Sequence, residues 1–127
     1  MDNGELGMKE NIVLDKSFDF AVRIVNLNKH LVSKHKEYVL SKQLLRSGTA
    51  IGALVREAQH AESKADFVHK LSIALKEANE TEYWLLLLNK TDYLSDNQFE
   101  SVQTDIDELI KLLVSIVKSS KQRKSHG

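Results

Sequence analysis

The chain reads as an all-α, antiparallel up-down-up-down four-helix bundle, and three observations carry that reading. Proline is absent and the five glycines fall at 4, 7, 48, 52 and 127. A β-sandwich or barrel would need turn residues roughly every ten positions, and they are missing. Apolar residues recur at helical spacing through most of the chain. Capping signals at Ser63 and Ser95 then divide the long unbroken stretch into separate helices.

At 127 residues the chain fits one domain. Three segments are expected: a flexible lead over 1–13, a bundle over 14–117 and a basic flexible tail over 118–127. The first helix is expected from about Asp15 to about Ser33, and its apolar residues form two rows. Leu14, Phe18, Ala21, Val22, Val25 and Val32 make one; Phe20, Ile24, Leu27 and Leu31 make the other. At about 100° per residue the rows lie roughly 130° apart. A helix covered on one side needs a single stripe, so the second row predicts burial against another subunit.

The polar run Ser33-Lys34-His35-Lys36 reads as a loop, followed by a second helix from about Glu37 to about Ala61. Gly48 and Gly52 sit four apart on one face of it. Each costs about 0.5–1 kcal/mol relative to alanine in a helix interior, so a neighbouring helix is expected to pass very close. Arg46 lies in the same apolar helix, and an arginine so placed needs a carboxylate partner. Glu57, Glu77, Glu80 and Glu82 are the candidates for a register-fixing ion pair.

The third helix is expected from its Ser63 cap to about Thr91. Near its end Tyr83, Trp84, Leu85, Leu86, Leu87 and Leu88 point in every direction around the axis. Such a run should be buried all round, which a 127-residue bundle cannot do alone. Ser95 with Gln98 forms a capping box for the fourth helix, which carries Phe99, Val102, Ile106, Leu109, Leu113, Ile116 and Val117.

Lysine and arginine number 18, as do aspartate and glutamate, so the net charge is zero. That balance argues against a surface built throughout for nucleic acid, while leaving room for a local patch. The candidates for such a patch are Arg23, Lys29, Lys34 and Lys36 on and after the first helix. Lys118, Lys121, Arg123 and Lys124 on the tail join them. With no cysteine there is neither disulfide nor thiolate metal site, which fits a cytoplasmic protein. The longest apolar run, six residues, falls short of the roughly 20 that a membrane span needs.

Two steps of Glu-x-x-His type, Glu57 with His60 and Asp66 with His69, resemble the ligand pairs of di-iron bundles. Both lie beside one turn, near a bundle end, whereas a di-iron site draws on four helices at mid-height. No metal, cofactor or catalytic residue is therefore assigned, and a metal-dependent helical-bundle enzyme stays as the alternative.

The segment Gln43-Leu44, Arg46, Ile51, Glu57, Ser63 and Phe67, followed by Ile73-Ala74, Glu80, Glu82, Leu85-Leu86 and Tyr93-Leu94, resembles a bacterial family. Its members are four-helix-bundle proteins named for intervening sequences in ribosomal RNA. That family is similar to the accessory variability protein of diversity-generating retroelements, a pentamer that binds a reverse transcriptase and nucleic acid. The resemblance implies a homopentamer serving as a non-enzymatic interaction module, with an unknown protein partner and RNA or DNA as candidate ligands. Ala50 and Leu54 stand where the family often has serine and asparagine; if family members use those positions for RNA, this chain is expected to bind it poorly or elsewhere. Structural and interface roles are expected of Phe20, Ile24, Leu27, Leu31, Arg46, Gly48, Gly52, Glu80 and Trp84.

Overall fold

A computed structural model describes the backbone of residues 3–126 and the side chains of residues 4–122. It contains α1 (Asn3–His35), α2 (Leu40–Ala58), α3 (Lys64–Lys90) and α4 (Asp96–His126). Each helix packs on its neighbours in chain order and α4 closes on α1, so the four axes form a square in section. Leu31, Leu44, Ile51, Leu71, Leu85, Leu88, Ile106 and Leu113 fill its centre.

Two termini differ from expectation. α1 begins at Asn3 rather than near Asp15, and Leu6 and Val13 enter the core. Polarity masked this, because an amphipathic helix needs only one apolar residue per turn on its inner side. α4 runs on through the basic segment to His126, with Ser120 buried. The first loop lies later than expected, at residues 36–39.

Local chemistry explains the turns. Lys36 and Asp92 adopt positive φ, 54° and 71°, and each follows the end of a helix. At Ser63 the hydroxyl accepts from Asp66 N–H at 3.0 Å, while the Asp66 carboxylate accepts from Glu62 N–H at 3.2 Å. Ser95 and Gln98 close a reciprocal box, Gln98 N–H to Ser95 Oγ at 3.2 Å and Ser95 N–H to Gln98 Oε1 at 2.9 Å.

The start of α2 is built differently. Its N-cap position, Val39, offers no side-chain acceptor. Glu37 supplies it instead: its carboxylate accepts from Leu40 N–H at 2.9 Å, Val39 N–H at 3.1 Å and Ser41 N–H at 2.7 Å. Burial pushes this carboxyl up, but the three backbone donors outweigh it and hold it below the ordinary carboxylate range. Sequence reading placed Glu37 inside the helix and missed this clasp.

Candidate interaction surfaces

The glycines of α2 let the backbone of α1 approach closely. A Cβ at position 48 would lie 2.9 Å from Ile24 Cγ1 and Cγ2, and one at 52 would lie 3.1 Å from the Ser17 carbonyl oxygen. Asn28 Nδ2 donates to the Ser41 carbonyl at 3.1 Å across the same seam.

The α1–α4 seam is of another kind. Lys9 Nζ donates to Ser115 Oγ at 2.6 Å, Lys16 pairs with Glu108, and Arg23 meets Ser101 Oγ at 2.5 Å and Asp105 at 2.6 Å. Each step of seven residues up α1 matches a step of seven down α4, the heptad register of antiparallel helices. Glu108 lifts the Lys16 ammonium above its ordinary value. Between these rungs Lys16, Asp19, Phe20, Asp105, Glu108 and Leu109 line a cleft of about 200 Å³.

Arg46 bridges α2 to α3, at 3.1 Å from Glu77 and 2.5 Å from Glu80, whose other oxygen accepts from Trp84 Nε1 at 3.3 Å. Arg46 first, then Trp84, holds the Glu80 carboxyl below its ordinary range, against the opposing effect of burial. The arginine is half exposed rather than buried. Of its other candidate partners, Glu57 pairs with Lys70 at 3.5 Å. Glu82 lies across the α3–α4 seam opposite Asp107. That facing carboxyl, with burial, pushes Glu82 above the ordinary carboxylate range.

The two apolar rows of α1 part company. Phe20, Ile24 and Leu31 are buried in the bundle's own core, with Leu27 packed against it. They are intramolecular, and the row left exposed is the first one, where Phe18 is 59% exposed and Val22 47%. The Tyr83–Leu88 run also divides. Leu85 and Leu88 are fully buried, whereas Tyr83 is 58% and Leu86 44% exposed. Four helices enclose one side of α3 and leave the other outward.

The basic candidates scatter. Arg23 is engaged in the α1–α4 seam, and Lys36 Nζ donates to the Ser33 carbonyl at 3.0 Å. Lys29, Lys34 and Lys118 are exposed, as is Lys121, which has an interaction partner. Arg123 and Lys124 lie outside the residues whose side chains are described. Glu57, His60 and Asp66 share a groove beside the α2–α3 turn, but His69 does not line it. No three histidine or carboxylate side chains gather in a metal-binding cluster among the described residues. Among those residues, too, no helix is long and apolar enough to cross a membrane. His35 instead packs edge-on against His30 and Tyr93, with ring centroids 5.5 and 5.8 Å away.

The family model for 23S rRNA-intervening sequence protein matches residues 9–115. Among solved structures, the chain is similar to a 1.70 Å crystal structure of a protein of unknown function. That protein is from the S23 ribosomal protein family of Bacteroides thetaiotaomicron VPI-5482. The two share 63% identity over 87% of this chain and 98% of that one, with a TM-score of 0.86. No curated protein matches the chain.

Proposed function

Because the chain belongs to the 23S rRNA-intervening sequence protein family, whose members share this fold without an assigned activity, we propose that it acts as a non-enzymatic, self-assembling interaction module. Assembly into a homo-oligomer, five copies by the family resemblance, creates a scaffold for a protein partner or for nucleic acid. One observation carries the reading. Phe18, Val22, Val25, Tyr83, Leu86 and Val114 are exposed on a bundle whose core is already complete without them. Exposed apolar groups in contiguous patches mark association surfaces. A ring of copies also multiplies each weak basic cluster, such as Lys29 and Lys34, into a repeated array.

Light scattering at micromolar concentration tests the assembly, and a closed oligomer is expected. A monomer at that concentration would overturn the proposal. Fluorescence anisotropy with labelled RNA and DNA tests the ligand. Binding through these cations should be sequence-tolerant and fall steeply between about 50 and 200 mM salt. Absence of binding at the lowest salt leaves a protein partner as the ligand of the scaffold.

A further inference from the structure

All four helices contribute to one cavity, at the end of the bundle where α1 starts and α4 finishes. Its volume is about 330 Å³, at the small end of the range for ligand sites. Leu6 of α1, Ala58 of α2 and Ser120 of α4 line it and are only 2%, 2% and 3% exposed, so they form its floor. Ala61, just beyond α2, and Phe67 of α3 are half-buried and make its wall. The small side chains at 58 and 61 keep the space open.

Among the described residues, Ser120 Oγ is the one buried side-chain polar atom with no hydrogen-bond partner. A buried hydroxyl left unpaired carries a desolvation cost, and alanine would occupy the same helical position without it. The other floor residues, Leu6 and Ala58, offer only carbon from their side chains, whereas an ordered buried water typically makes about three hydrogen bonds. The charged residues at the opening, Glu10 and Lys64, are opposite in sign. Glu62 and Asp66 line the neighbouring groove instead. The cavity therefore favours neither an anion nor a cation.

We infer that this cavity binds a small uncharged molecule with an aromatic or branched-alkyl body and a single hydroxyl or carbonyl head. The body lies against Leu6, Ala58 and Phe67. The head meets Ser120 Oγ, which donates to a carbonyl and either donates to or accepts from a hydroxyl. Burial of the body supplies affinity, and the one hydrogen bond supplies selection, because a head that cannot pair leaves the serine hydroxyl desolvated. The site is built by a single chain and does not depend on self-assembly.

The probes are p-cresol and p-xylene, which share a shape and differ by a hydroxyl in place of a methyl. Titrated into the full chain and followed by proton–nitrogen correlation NMR, p-cresol should give saturable shifts at the amides of Leu6, Ala58, Phe67 and Ser120. It should bind about tenfold more tightly than p-xylene, the worth of one hydrogen bond to a buried hydroxyl. Ser120→Ala should bind the two probes equally and, with no probe present, should melt higher than the parent. Ala61→Trp fills the cavity and should lose both probes. A circular dichroism melt checks that this variant folds, and where it does not, Ser120→Ala decides alone. The site is overturned by the absence of saturable shifts in the parent, by equal affinity for the two probes, or by a preference that survives Ser120→Ala. Unchanged binding in a folded Ala61→Trp chain overturns it as well. So does a lower melting temperature for Ser120→Ala, because the hydroxyl would then be bonded within the fold.

Discussion

Helix α1 meets its two neighbours in opposite ways. Against α2 it is held by missing atoms: Gly48 and Gly52 carry no side chain, so Ile24 and the Ser17 backbone fill the space directly. Against α4 it is held by long arms, Lys9, Lys16 and Arg23, which reach across to serines and carboxylates. The first seam leaves no room for change, because backbone cannot rotate away. The second can swap rungs or lose one, since flexible charged side chains in solvent adjust and hydrate. Close packing is therefore expected to set the register of the bundle, and the polar ladder to refine it.

The largest effect should come from filling the tight seam. Gly52→Leu inserts a branched side chain against the Ser17 carbonyl, 3.1 Å from the first added carbon. Overpacking of this kind costs about 1–3 kcal/mol and more when only backbone can yield, so a loss of about 3 kcal/mol is expected in urea unfolding. Unchanged or improved stability would show that α1 does not pass where the structure places it.

The clasp that starts α2 comes next. Glu37→Ala removes the side-chain acceptor that holds that helix start, and loss of a cap costs about 1–2 kcal/mol. The pH dependence has a definite sign. Glu37 has its folded pKa below the ordinary value, so its contribution is complete above the unfolded carboxylate pKa. It is lost as pH falls through the folded value. Urea midpoints of the parent and Glu37→Ala chains should therefore differ at neutral pH and converge in acid. A gap that persists below that window would show that the carboxylate charge is not what holds the helix start.

Gly52→Ala is the milder probe of the same seam. Alanine gains about 0.5–1 kcal/mol of helix propensity over glycine, yet its Cβ would press on a carbonyl that belongs to another helix. The clash should outweigh the gain and leave a net loss below about 1 kcal/mol, read as a small drop in melting temperature. A rise would mean that α1 retreats easily and that the two seams of this helix are less different than their geometry suggests.

How far the sequence disclosed these features follows from where each signal resides. The glycine spacing predicts close approach because a costly residue in a helix needs a steric reason, and the Ser63 and Ser95 caps are local patterns of side chain and backbone. Arg46 likewise needs a carboxylate, and sequence separation left the choice among four; the fold selects Glu77 and Glu80. The heptad ladder was not legible, since Lys9 lay in a segment read as flexible and Arg23 read as a free cation. Which row of α1 faces solvent was equally hidden. Both rows are apolar, and only the placement of α2 and α4 decides that Phe20 and Ile24 turn inward while Phe18 and Val22 remain outside.

The smallest effect should come from the ladder. Arg23→Ala removes its rung, the contacts to Ser101 and Asp105. Arg23 and Asp105 side chains are 37% and 47% exposed, so water and salt screen the pair and its loss should cost at most about 1 kcal/mol. The cost should shrink as salt rises from about 0.01 to 1 M, because the Debye length contracts from about 30 to 3 Å. The Gly52→Leu penalty, being steric, should not. Urea unfolding of both variants across a salt series measures the contrast directly. A salt-insensitive loss of several kcal/mol at Arg23 would mean that the α1–α4 seam is packed as tightly as α1–α2. The same variant bears on ligand binding. With its guanidinium already committed to α4, Arg23 has little left for phosphate, so its removal should leave any RNA anisotropy curve unmoved while Lys29→Ala lowers it.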